Sequence, residues 1–205
     1  HRLQTFLNGR ANPRISLSPL VPFASWEELA IARQESAAHP AIEGVMLKRA
    51  GSPYLAGRPK GLWYKWKRAP GLVDCVMMYA QRGHGKRSSY YSDFTFGVWD
   101  EDRLVPVGKA YFGFTDAELV ELDRFVRRNT INRFGPVREV VHTAEEGLVL
   151  EIAYEGLQES GRHKSGIAMR FPRIHRIRFD KKPAEADRLT SLKAAMAPPR
   201  EPDPA

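Results

Sequence analysis

The chain has 205 residues and carries 32 basic against 24 acidic side chains, a net charge of +8. That length bounds it to one or two domains, and the basic excess points to a polyanion partner, nucleic acid first, with an ordinary soluble basic protein as the plain alternative. One cysteine, Cys75, excludes an intrachain disulfide and reads as a buried thiol, and no run of about 18 apolar residues marks a membrane-crossing helix.

The opening HRLQTFLNGR reads as the end of a helix already under way. With His at position 1 and no signal peptide in view, it suggests a piece of a longer polypeptide and a cytoplasmic, nucleoid-associated location. Residues 11–24 hold three prolines and read as an extended connector. In SWEELAIARQES, Ser25 and Glu28 have the spacing of a capping box, and Trp26, Leu29, Ile31 and Ala32 predict an apolar helix face. AIEGVMLKRA reads as a strand, GSPYLAGRPKG as turn chemistry, and LWYKWKR as a second strand that ends at Pro70-Gly71, a candidate hinge.

Beyond the hinge the elements become short. LVDCVMMYAQ (72–81) is a strand, RGHGKRSS (82–89) a glycine-rich basic loop, DFTFGVWD (93–100) a strand, and RLVPVGKAYF another. Thr115 and Glu118 make a second capping box ahead of an apolar stripe of Leu119, Leu122, Phe125 and Val126, with Gly135-Pro136 expected to stop the helix. GLVLEIAYEGLQ and AMRFPRIHRIRF each read as one strand, and the proline-rich tail is expected to be disordered. Three strands, a helix and two strands is the order of a five-stranded OB-fold barrel. Met46, Met77 and Met78 are expected in cores.

Three constellations carry possible chemistry. Glu43 beside Gly44, with Lys48 nearby, can hold a divalent metal while the glycine lets a ligand approach; a strand end in water is the plain alternative. Lys65 and Lys67 alternate, so they share a strand face with Trp63 and repel unless an anion lies between them; neighbouring Arg58 and Lys60 favour a phosphate, while a lysine-protected edge strand is the alternative. Arg170, Arg173, Arg176, Arg178, Lys181 and Lys182 surround one acid, Asp180, in a segment suited to pyrophosphate or to a nucleic-acid backbone. The loop with Arg82, Lys86 and Arg87 lacks a P-loop frame but suits a nucleic-acid backbone, as does Arg176.

Taken in order, EGVMLK, WYKWK and RFPRIHRIRFDK resemble the fourth, fifth and sixth nucleotidyltransferase motifs of ATP-dependent DNA ligases. The intervening SPYLAGRPKGLWYKWKR and the stretch from MYAQRGHGK to FVRRNT look like bacterial ligases of the damage-response type, and the resemblance runs from about residue 25 to 190. It implies an α+β chain: the C-terminal portion of an adenylation (nucleotidyltransferase) domain over 1–69, an OB-fold DNA-binding domain over 70–190, and a disordered tail over 191–205. It implies nick sealing in duplex DNA through lysine–AMP and DNA–adenylate intermediates, with ATP and Mg2+ (or Mn2+) as cofactors. Glu43 would be the metal-binding carboxylate, and Lys65 and Lys67 would contact nucleotide phosphates as the catalytic group. Lys48, Arg58, Arg170, Arg173, Arg178, Asp180 and Lys181 would also bind nucleotide, and Arg82, Lys86, Arg87 and Arg176 would bind DNA. The partners implied are nicked DNA, the N-terminal part of the same polypeptide and a nuclease or helicase of repair, with no membrane. The family's nucleophilic Lys-x-Asp-Gly is absent from these 205 residues, so this chain is not expected to form lysine–AMP alone. A non-catalytic OB module, or an RNA ligase or capping-enzyme relative, are the competing readings.

Overall fold

A computed structural model describes residues 2–8, 12, 14–36 and 42–196. The chain divides into two compact units, His1–Arg68 and Ala69–Ala205.

The first unit holds helices α1 (Arg2–Asn8) and α2 (Trp26–Ser36) and a two-stranded antiparallel sheet, β1 (Gly44–Lys48) with β2 (Trp63–Lys67). Ser25 Oγ accepts from the Glu28 amide at 3.1 Å, while the Glu28 carboxylate reaches back to the Ala24 amide at 2.7 Å, one residue earlier than the expected box. The predicted apolar face of α2 does not form a core: Leu29 is buried, but Trp26 and Ile31 are 64% and 58% exposed. Residues 26, 29, 31 and 32 do not fall on one narrow stripe of a 3.6-residue helix. Arg33 docks α2 on β2 instead, its guanidinium 4.7 Å from the Trp66 ring and donating to the Lys67 carbonyl at 2.7 Å.

The second unit is built on β3 (Gly71–Arg82), a 12-residue strand. One side of it pairs with β4 (Tyr91–Asp100), which pairs in turn with β5 (Arg103–Ala110). Its other side pairs with β8 (Val149–Tyr154) along Gly71–Val76 and with β7 (Val137–Val140) along Tyr79–Gln81. A register shift between Met77 and Tyr79 separates these halves, and such a bulge bends the strand so the sheet can curl. β11 (Arg173–Arg178) lies beyond β8, giving the order β11-β8-β3-β4-β5. On the side where a closed barrel would join β11 to β5, the Ile174 amide donates to the Phe112 carbonyl at 3.1 Å. Gly113 permits this approach: its φ is 102°, and a Cβ there would meet the Ile174 backbone.

Helix α3 (Asp116–Asn129) plugs the curl, its Leu119, Leu122 and Val126 joining Phe94, Met77, Leu150 and Ile152 in one buried core. Its capping box is formed as expected, with the Glu118 amide 3.2 Å from Thr115 Oγ1 and the Glu118 carboxylate 2.7 Å from the Thr115 amide. Its end is not where the glycine and proline suggested. The helix stops at Asn129, where the Asn129 and Thr130 side chains back-bond the Phe125 and Val126 carbonyls. Gly135-Pro136 turns a hairpin between β6 (Thr130–Phe134) and β7; β-branched Thr130 and Ile131 favour the strand.

Further expectations change. Each long C-terminal strand splits, leaving β9 (Gly156–Glu159) and β10 (Ile167–Arg170) as a separate hairpin, and Phe171, at φ 51° before Pro172, breaks β10 from β11. The segment from 191 is ordered where it is described, since α4 (Leu189–Ala194) buries Leu189 and Leu192; residues 197–205 lie outside the described residues. Gly71, expected in a hinge, is the first residue of β3, and a Cβ there would run into the Tyr154 ring. Cys75, Met77 and Met78 are buried, Cys75 with its thiol pushed well up by burial and then by Asp187 and Asp74. Met46 is 46% exposed on the open face of β1.

Candidate functional site

In the first unit, the β1–β2 register sets Gly44 opposite Lys67, Met46 opposite Lys65 and Lys48 opposite Trp63. Directly opposed residues share a face, so Lys48, Lys65 and Lys67 all stand on the exposed side, while Val45, Leu47, Tyr64 and Trp66 turn to the other. Lys48 leans over the Trp63 ring at 4.8 Å. Glu43 precedes the strand by one residue, and its carbonyl accepts from the Arg68 amide at 2.9 Å, extending the pairing. Gly44 has φ 140°, and a Cβ on it would press on the Trp66 carbonyl and lie 2.8 Å from Lys67 Cα. Only glycine lets the backbones meet that closely while releasing Glu43 from strand alternation. Around this pinch lies a cleft of about 170 Å³ lined by residues of both faces, Glu43, Gly44, Val45, Met46, Lys65, Trp66 and Lys67. Arg58 and Lys48 do not line it.

One acidic and two basic residues lining the same cleft are the residue types that a phosphate with a divalent ion calls for. Magnesium is commonly held by one or two carboxylates together with phosphate oxygens, and Lys acts on phosphate as a point charge. Among the described residues no group of three or more His, Cys, Asp or Glu forms a metal cage, so a metal here would need the phosphates as ligands.

In the second unit, the arginine-rich segment is occupied internally. Arg178 forks onto Asp180 at 2.9 and 2.7 Å, reaches both Asp74 oxygens at 3.3 and 3.1 Å, and lies 3.5 Å from Glu151. Lys181 Nζ donates to Asp74 Oδ2 at 2.6 Å. The hydrogen bond from Arg178 holds the Asp180 carboxyl well below the usual carboxylate range, and the same bond raises Arg178 further. Asp74 is itself buried and clamped from behind: its amide donates to Asp187 Oδ2 at 2.8 Å, and the Asp187 amide donates to its carbonyl at 2.9 Å. Arg176 and His175 lie 3.8 and 3.7 Å from Glu151. A bulge between Ile174 and Arg176 allows Ile174 and Ile177, three residues apart, both to face the core. Arg170 stands over the Phe171 ring at 5.4 Å, and Arg173 is half-buried at the start of β11.

The basic loop after β3 is also tied down. Arg82 donates to the Ser88 and Ser89 carbonyls at 3.3 and 3.2 Å, and Arg87 to the Tyr111 carbonyl at 3.3 Å. The Lys86 side chain lies outside the described residues. On the outer face of β3, β4 and β5, a groove of about 380 Å³ is lined by Tyr79, Gln81, Asp93, Thr95, Lys109 and Phe134.

Sequence reasoning missed Asp74 and Glu151, the anchors of the arginine segment. The signal was there for Asp74: an acid inside the apolar run LVDCVMM must find a partner when buried. Which partner was not visible, since Arg178 lies 104 residues away.

Residues 87–181 match the family described as ATP dependent DNA ligase C terminal region. The chain is 40% identical over 194 residues to a probable DNA ligase of Opitutus terrae, covering 93% of this chain and 19% of the relative. It is 44% identical over 147 residues to a probable DNA ligase of Koribacter versatilis, covering 72% of this chain and 25% of the relative. The chain thus spans about a fifth to a quarter of the length of these curated relatives. Among solved structures, one described as a structure-function analysis of Lig E DNA ligases, on DNA binding with a minimal scaffold, superposes with a TM-score of 0.59. It is 17% identical and covers 86% of this chain and 56% of its own, so it speaks to the fold alone. The motif order, the curled five-stranded path plugged by a helix and these relatives agree: the chain carries a C-terminal region of the ATP-dependent DNA ligase type.

Proposed function

We propose that this chain acts as part of an ATP-dependent enzyme that seals nicks in duplex DNA. Its first unit supplies phosphate-contacting groups and its second a nucleic-acid-binding OB fold. The observation that carries this is the cleft where Gly44 brings Glu43, Lys65 and Lys67 around one volume. Lys65 and Lys67 bind and neutralise nucleotide phosphates there. Glu43 would hold Mg2+, which supplies charge neutralisation to phosphoryl oxygens when bound. Arg170, Arg173, Arg178 and Lys181 are proposed as the further nucleotide contacts, and Arg82, Arg87 and Arg176 as contacts to the DNA backbone.

Magnesium ATP is the test ligand. Titration of the chain should show binding that Lys65→Ala with Lys67→Ala weakens about tenfold or more, as loss of charged hydrogen bonds does. Unchanged affinity would overturn the cleft assignment. Because the chain holds no Lys-x-Asp-Gly, labelled ATP with magnesium should leave no covalent label on it. A labelled chain would show a nucleophile outside the family's motif.

The internal bonding of Arg178, Asp180 and Lys181 favours a second reading for those three, as girders of the barrel and not nucleotide contacts. Arg178→Lys separates the two. A girder role lowers Tm with nucleotide affinity unchanged, whereas a contact role lowers affinity.

A further inference from the structure

Three arginines from three different elements surround one ring. Arg82 at the end of β3, Arg127 on α3 and Arg138 on β7 stand 5.3, 5.5 and 5.9 Å from the centre of Tyr91. A fourth, Arg133 on β6, is directly opposite Arg138 in the hairpin. Like charges placed opposite each other on neighbouring strands destabilise the pair. Among the described residues one carboxylate bonds this group: Asp123, whose Oδ2 takes Arg127 Nε at 2.6 Å and whose Oδ1 takes the Tyr91 amide at 2.9 Å. Each of its oxygens is therefore already engaged. Arg82 and Arg127 also share the Ser89 carbonyl, and Arg138 donates to the Gly135 and Val137 carbonyls at 2.8 and 3.1 Å. These bonds fix the stems of the guanidiniums and leave donors over: Arg127 is 48% exposed, and Arg82 and Arg133 are exposed.

We propose that Arg82, Arg127, Arg133 and Arg138 form one clamp for the phosphate backbone of duplex DNA, preorganised by the Tyr91 ring. The inference rests on the reading of the chain as a DNA-binding part of a ligase, and adds to it Arg127, Arg133 and Arg138 together with the site's construction. An aromatic face attracts guanidiniums and holds them at fixed range, which lowers the entropy lost when they meet an anion. The ring distances put any two of the three within about 11 Å, and each DNA strand carries one charge per ~3.4 Å of axis, so the cluster matches a run of about three phosphates. Four cations against one carboxylate suit a repeating polyanion better than an isolated anion.

The test is fluorescence anisotropy of a labelled nicked duplex oligonucleotide with the whole chain, across a salt series. Each phosphate contact contributes about 0.9 to the slope of log K against log salt. Arg133→Gln with Arg138→Gln should reduce that slope by about 1 to 2 and weaken binding uniformly across sequences. Arg133→Lys with Arg138→Lys should keep most of the slope. Arg103→Gln, at the start of β5, should leave it unchanged. Should the double variant unfold, Arg133→Gln alone, on an exposed side chain, is expected to lower the slope by about 1. A wild-type slope in the Gln variants, or an equal loss in Arg103→Gln, overturns the clamp and leaves the ligase reading intact. Failure of the wild-type chain to bind the duplex at low salt overturns that reading, and the clamp with it.

Discussion

Two basic segments look alike as text, WYKWK on β2 and RIHRIRFDKK through β11, yet the protein treats them differently. Lys65 and Lys67 stand on the exposed face of a two-stranded sheet, beside a cleft with Glu43 at its edge. Arg178 and Lys181 are drawn onto Asp74, with Glu151 and Asp180 completing the set. The first arrangement sets its lysines on an exposed strand face that borders a cleft. The second spends charge on holding strands together. Density of positive charge therefore says little by itself; the carboxylates that the fold brings alongside decide which use is made of it.

The sharpest way to break this contrast is Asp74→Ala. It strands Arg178 and Lys181 while keeping the backbone bonds of residue 74 to Asp187, so the melting temperature of the second unit should fall by on the order of 10 °C in a calorimetric scan. A shift under about 2 °C would mean the network is ornamental. Gly44→Ala comes next. The added Cβ meets backbone at a φ of 140°, so the β1–β2 hairpin should lose about 1–3 kcal/mol, read as faster amide hydrogen exchange confined to residues 44–48 and 63–67.

Acid separates the units more gently. Because Arg178 lowers the Asp180 carboxyl, that group's stabilisation is fully present above the ordinary carboxylate range near pH 4 and is lost as pH falls toward its depressed folded value. Asp180→Asn should therefore flatten the decline of Tm below about pH 4 and reduce Tm at neutral pH. The smallest effect belongs to Lys65→Ala with Lys67→Ala, which should change stability by no more than about 0.5 kcal/mol while nucleotide affinity drops. A large stability loss in that variant would assign the lysines to structure and erase the distinction between the two segments.

Much of this could be read from the residues because it is local. The α3 capping box, the strands around GVMLK and WYKWK, and the three-strand, helix, two-strand order each depend on neighbours a few positions apart. What failed to show depends on distant partners. The end of α3 was misplaced because Gly135-Pro136 is as good a hairpin turn as a helix stop, and only pairing of Phe134 with Val137 distinguishes them. The α2 stripe looked apolar, yet most of it stays in water, since a helix face becomes a core only where something covers it. In the site, alternation placed Lys65 and Lys67 on one face but could not place Glu43, whose direction depends on a glycine conformation outside the regular strand. The Tyr91 cluster draws on residues 82, 91, 127 and 138, a grouping that no window along the chain contains.

The clamp between Asp74 and Asp187 has a consequence for how the second unit comes into being. Residue 187 closes onto the strand that opens the unit, and Trp99 joins the same seam, its amide bonding the Asp187 carbonyl at 3.0 Å and its indole the Pro183 carbonyl at 2.7 Å. The first strand thus waits for a segment made more than a hundred residues later. During synthesis, β3, β4 and β5 emerge as a meander with one flank open, and the unit locks only after the segment around residues 183–192 has left the ribosome. Long closures of this kind slow folding and leave strand edges exposed meanwhile. Fluorescence of Trp99 on stalled nascent chains of increasing length should change abruptly at that point and not by increments.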